Sequence, residues 1–149
     1  MKHQKLNIIG ITVRTCNADG SAQKDIPSLW AKFMEGQMAS KIPNKMTEDI
    51  YCIYTEYEKD HLSPYTTLLG CRVKNLDDIP EGMKGMSFVE SNYEKFTAKG
   101  NIMQGIVFDA WLKIWDTSLS RTYTADFEVY GERAQNPEDA EVDIYVAVK

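Results

Sequence analysis

The chain has 149 residues, of which 43% are hydrophobic and 26% charged, and a net charge of −5. That much apolar material builds a substantial core in one domain or two closely fused halves, and it excludes a disordered chain. The acidic balance excludes a general nucleic-acid binder, which needs a basic face, and is compatible with cationic partners. Three widely spaced cysteines, Cys16, Cys52 and Cys71, give neither a disulfide framework nor a metal motif. Buried free thiols in a reducing cytoplasm are the expectation. Neither a signal peptide nor a membrane span is expected: the start is short and uncleavable in pattern, and the most apolar segment, Ile102 to Trp115, is broken by Asp109 and Lys113.

Taken in order, Leu6 to Arg14 is rich in β-branched residues and predicts a strand. A polar loop with Asn17, Asp19 and Gly20 follows. Asp25 is placed to cap a helix running to Met38, with Pro27 in its first turn and Ile26, Leu29, Trp30 and Phe33 as its apolar stripe. Pro43 stops it. Ile50 to Tyr57, dense in tyrosine, and Tyr65 to Lys74 predict two strands joined by a turn. Pro80 and Gly82 mark a connection between halves, and strand-like pieces follow from Gly85, the best at Tyr93 to Ala98. Asn101 and Gln104 suggest a capping box for a helix to Leu119, with Val107, Ala110, Trp111, Ile114 and Trp115 on one face and Gly105 in its first turn. Thr124 to Gly131 and Val142 to Val148 alternate with period two and predict the last strands.

This order is strand, helix, strand, strand, twice over, with pseudo-repeats at about 1–76 and 84–149. Ile53-Tyr54 in the first copy matches Val129-Tyr130 in the second. Short hairpins imply antiparallel sheets with two main helices on one face, so the expected fold is an α+β domain with pseudo-twofold symmetry and a cleft between its halves.

The strand Thr124 to Gly131 carries the site hypothesis. Phe127 and Val129 point one way; Asp126, Glu128 and Tyr130 point the other. A carboxylate beside a tyrosine in an aromatic-rich fold is what holding an organic cation requires. The ordinary reading of Glu128 is a solvent-facing glutamate, and if its face looks toward the helices the carboxylate is desolvated and its pKa raised. Trp111 and Trp115, one helical turn apart, form either plain core or an aromatic wall. Tyr54 gains weight as the repeat partner of Tyr130, and Trp30 reads as core. The run Glu56 to His61 reads as a solvated loop rather than a metal site, because His3 and His61 have no partners at ligand spacing. No cofactor motif or phosphate loop is present.

The chain resembles the GyrI-like effector-binding domains, also called the AraC-type or BmrR-type effector-binding domain. The likeness rests on Ile8-Ile9-Gly10 with Arg14-Thr15, Ile26-Pro27-x-Leu29-Trp30, Ile50-Tyr51-x-x-Tyr54-x-x-Tyr57 and Tyr65-Thr66 to Gly70. It continues through Gly82-Met83, Tyr93-x-x-Phe96-x-x-x-Gly100, Trp111-x-x-Ile114-Trp115 and Asp126-Phe127-Glu128-x-Tyr130. It covers nearly the whole chain, and it implies a duplicated strand-helix-strand-strand unit that binds small lipophilic, often cationic molecules. By that resemblance Glu128 is the charge partner, with Tyr130 and Tyr93 beside it. Relatives often carry a fused DNA reader, for which this chain has no room. It is similar to the stand-alone members, some of them carried on mobile cassettes, with a separate regulator as one expected kind of partner. The resemblance also implies one alternative, hydrolysis of strained small-ring compounds by a glutamate in the same cleft; a third reading is a protein-interaction module that inhibits or buffers a partner enzyme. Exposed strand edges near Leu6 or Val148 are compatible with a homodimer.

Overall fold

The structure, a computed structural model, describes residues 2–3, 5–89 and 91–149. Eight strands form one antiparallel sheet: β1 (Lys2–His3), β2 (Leu6–Thr15), β3 (Ile50–Thr55), β4 (Tyr65–Arg72), β5 (Lys84–Phe88), β6 (Ser91–Gly100), β7 (Ala125–Tyr130) and β8 (Ala140–Val148). The helices are α1 (Ala22–Glu35), the single turn α2 (Met38–Lys41) and α3 (Ile106–Trp115). None of the described helices is long and apolar enough to cross a membrane.

The strand order is β1-β6-β8-β7-β3-β4-β2-β5. Its middle six strands read the same from either end once each strand is replaced by its repeat partner. The pseudo-twofold therefore passes between β3 and β7, which pair antiparallel with Cys52 opposite Glu128. The flanking strands cross over: β1 leads into β2 but pairs with β6, while β5 leads into β6 but pairs with β2. From His3↔Ser91 to Leu6↔Phe88 the chain advances three residues on one side and retreats three on the other, so both ladders hold one register. The two ends of the strand order thus meet, and the sheet curls on itself.

Curling explains why both faces are buried. The inner face holds Leu6, Ile8, Tyr51, Ile53, Leu68, Tyr93, Phe127 and Tyr145. Phe127 is its centre, stacked on Tyr145 at 4.8 Å and met edge-on by Tyr93 at 5.2 Å. On the outer face, α1 covers Ile9, Ile11, Cys52, Leu69 and Cys71 with Leu29 and Phe33. Helix α3 covers Ala98, Val142, Ile144 and Val146 with Trp111 and Ile114. Tyr54 and Tyr130, on the central strand pair, lie at the margin of both outer clusters. Gly10 faces Gly70 across β2 and β4, where a Cβ on either would sit 2.1 Å from a backbone carbonyl oxygen.

The predicted α+β repeat is the observed one, with differences that have local causes. The antiparallel pairing implied by the hairpins continues through both halves as a single sheet, because β3 and β7 pair across the repeat boundary. The first helix starts earlier than Asp25, whose carboxylate instead accepts from the Thr15 hydroxyl at 2.9 Å, and it breaks at Gln37, which is left-handed (φ 49°). The second helix splits at Gly105: a 3-10 turn, Ile102–Gln104, is capped by the Asn101 side chain, and Gly105 (φ 80°) restarts the chain as α3. Gly105 is therefore a junction needing a left-handed residue, not a costly first-turn position. Of the thiols, Cys52 and Cys71 are buried as expected and Cys16 is half-buried.

Candidate functional site

Where α1 and α3 part over the β3–β7 pair there is a cavity of about 410 Å³. The sheet supplies its base and the helices its side walls. Glu128 lies at the base and is 1% exposed. Its carboxylate accepts three hydrogen bonds: from the Tyr54 hydroxyl (2.8 Å) and Trp111 Nε1 (2.6 Å) on one oxygen, and from the Tyr130 hydroxyl (2.5 Å) on the other. All three donors are neutral, and among the described residues none of the ion pairs involves Glu128. Burial raises the pKa of Glu128 above the ordinary carboxylate value, and the hydrogen bonds from Tyr130, Trp111 and Tyr54 pull back against that rise. The tyrosines are held as donors: burial, reinforced by the nearby carboxylate, pushes the Tyr54 and Tyr130 hydroxyls well above their ordinary values.

The aromatic walls are mutually braced. Trp30 meets Tyr130 edge-on at 4.7 Å, Tyr54 meets Trp111 at 5.6 Å, and Trp111 lies 6.5 Å from Trp115. Edge-on contacts of this kind leave ring faces available to line the cavity.

A second carboxylate, Asp126, lies one pleat along β7 on the same face. It accepts from Tyr57 (2.6 Å), from the Ala147 backbone N–H (2.8 Å) and from Arg121 Nη2 (2.7 Å). Both side chains of the Arg121–Asp126 pair are buried. Arg121 is delivered there by residues that run beside the end of β8, with Arg121 bridged to Val148 and Thr122 N–H donating to Ala147. Its guanidinium sits 4.3 Å from the Tyr123 ring and 5.9 Å from that of Trp111.

Five of the six residues expected at a ligand site line this cavity: Glu128, Tyr130, Tyr54, Trp111 and Trp115. Tyr93 does not. Its parity on β6 turns it to the inner face of the curled sheet, against Phe127 and Tyr145. Tyr93→Phe is accordingly expected to change ligand affinity less than twofold, whereas Tyr54→Phe and Tyr130→Phe weaken it; isothermal titration of the three variants checks this.

Two ordinary readings are also corrected. Trp30, expected as core, packs over the α1 cluster and lines the cavity as well. His61, expected in a solvated loop, lines the cavity with its ring stacked on Trp115 at 5.1 Å. The 56–64 hairpin that carries it is pinned by Arg14, which donates to the Glu56 carbonyl (2.6 Å), and by Asn17, which donates to the His61 carbonyl (2.9 Å) and accepts from Tyr65 (2.6 Å). Arg121, Tyr57 and Tyr65 were missed. Tyr57 had a signal, its place in the Tyr51, Tyr54, Tyr57 run, but strand parity sets it opposite Tyr54. Glu56 is left-handed (φ 52°), and that kink brings Tyr57 back to the side of Asp126. Arg121 had no periodic signal at all. Among the described residues no group of His, Cys, Asp and Glu is arranged to hold a metal.

Comparison with known proteins adds independent information. The family described as "integron-associated effector binding protein", Cass2, matches residues 2–148. YobU of Bacillus subtilis (strain 168), a protein named for transcriptional regulation, is 31% identical over 144 residues, spanning 94% of this chain and 90% of that protein. An integron cassette protein from the mobile metagenome of Vibrio cholerae superposes with a TM-score of 0.77 at 27% identity, covering all of this chain and 94% of that one. SAV2435, solved with tetraphenylphosphonium bound, has the same fold, with a TM-score of 0.80 at 19% identity over all of this chain and 92% of that one.

Proposed function

The chain belongs to the family of integron-associated effector binding proteins, small-molecule binding domains with the GyrI-like fold, and from that premise we propose that its cavity captures lipophilic organic cations, with Glu128 as the charge partner and Tyr54, Tyr130, Trp111, Trp115 and Trp30 as the aromatic surface. One observation carries the reading: a buried carboxylate faces a ligand-sized cavity with neutral partners only. A charge held that way is costly unless something cationic joins it. The volume lies within the roughly 300–1,000 Å³ usual for small-molecule sites. Each cation–aromatic contact adds about 0.5–2 kcal/mol. Two or three of these, with burial of an apolar body, reach the 8 kcal/mol or so of a micromolar complex. That SAV2435 binds tetraphenylphosphonium supports the choice of ion class.

The carboxyl makes affinity pH-dependent in a stated direction. Its pKa in the unliganded protein is raised by burial, and a bound cation favours the ionised form. Below that pKa the site must lose a proton to bind, so affinity for tetraphenylphosphonium falls about tenfold per pH unit; above it, affinity is flat. Quenching of tryptophan fluorescence across pH 4 to 8 measures this. Equal affinity at both ends sinks Glu128 as the charge partner.

A further inference from the structure

The cavity has a second polar pole that cation capture does not use. Arg121 lines it with a side chain only 5% exposed, paired with Asp126, which lies one pleat along β7 from Glu128. A guanidinium has five N–H donors. Within the described residues, one hydrogen bond is made, from Nη2 to Asp126, and Nε is buried with no partner. Beside it, His61 Nδ1 is also buried without a partner, in the wall of the same cavity. Buried polar atoms are nearly always satisfied, and one left over in a cavity wall marks where a bound molecule or water supplies the missing atom. The Trp111 indole joins the two poles: its N–H donates to Glu128, and its ring lies 5.9 Å from the Arg121 guanidinium carbon.

From this we infer that the physiological ligand is dipolar: an aromatic cation that also carries a hydrogen-bond-accepting oxygen, a carbonyl or carboxylate, which Arg121 receives while the cationic centre lies by Glu128. Asp126, which anchors the guanidinium, and Glu128 are two apart on β7, about 7 Å, so the two groups on the ligand are separated by a distance on that order. This rests on the reading of Glu128 as the cation's partner, and it goes beyond that reading by making a purely lipophilic cation the poorer ligand.

The test uses 4-aryl-N-methylpyridinium ions identical except for a meta substituent on the aryl ring: ethyl, acetyl or carboxylate. The acetyl and carboxylate ions are expected to bind the wild-type chain at least tenfold more tightly than the ethyl ion. They alone should shift the Arg121 Nε–H signal in a ¹⁵N-resolved spectrum, a readout that needs no variant. Arg121→Lys keeps a cation for Asp126 but removes the guanidinium fork, and it is expected to abolish the preference. Glu128→Gln is expected to weaken all three ions and leave their ranking intact. Equal binding of the three ions to wild type, or a preference that survives Arg121→Lys, overturns the inference. Loss of ranking with Glu128 dependence retained refutes the second pole alone; ranking retained without Glu128 dependence refutes the cation reading instead.

Discussion

Glu128→Gln is expected to make the unliganded protein more stable while it destroys cation affinity. The amide replaces a buried charge with a neutral group of the same shape. Its oxygen can accept from Tyr54 and Trp111, and its NH₂ can donate to Tyr130 once that hydroxyl rotates. Relief of a strained functional group typically stabilises by about 0.5–2 kcal/mol, and for a chain of this length each kcal/mol raises Tm by roughly 2–4 °C. The gain depends on pH. Glu128 has a folded-state pKa above its unfolded value, so the native state holds its proton longer. Wild-type stability is therefore highest below the unfolded value and is lost as pH rises through the folded one. The two proteins should melt together near pH 4 and diverge above it, the variant higher. Loss of the charge removes about 2–3 kcal/mol of binding, on the order of 30- to 150-fold in Kd for tetraphenylphosphonium. Thermal melts without ligand and a titration with it report the two effects separately. A variant that melts lower than wild type at pH 8 would show that Glu128 is there for the fold, not for a ligand.

Arg121→Met should have the largest effect on stability itself. It leaves the Asp126 carboxylate, which is 0% exposed, with only Tyr57 and the Ala147 N–H. Breaking one side of a buried pair costs about 3–5 kcal/mol, because the remaining charge is uncompensated. A fall in Tm on the order of 10 °C follows. Pairing the change with Asp126→Asn removes that charge, and the double variant should recover more than half the loss. Two independent, additive losses would instead mean that Arg121 contributes through its packing on Tyr123 and Trp111 and not through the carboxylate.

The sequence by itself determined the elements and their duplication. Period-two alternation in Ala125–Tyr130 and Ala140–Val148, and the helical spacing of Trp111, Ile114 and Trp115, are local signals, and they resolve into the observed strands and helix. Glu128 and Tyr130 share a face by β7 parity, Tyr54 joins them as the repeat partner of Tyr130, and Trp111 and Trp115 share a face by helical spacing, while the resemblance to the effector-binding domains is what marked Glu128 as the charge partner. Which face of β7 looks toward the helices was not legible, since Phe127 and Val129 are as apolar as a core requires. Tertiary structure decided it by curling the sheet: the inner face took Phe127 and Tyr93 into its own aromatic core, and the outer face left Glu128 under the helices and Asp126 against Tyr57 and Arg121. Arg121 was beyond reach for the same reason. Its place is set by the pairing of its backbone with Val148 and by a carboxylate five residues later, and neither contact leaves a periodic trace in the chain.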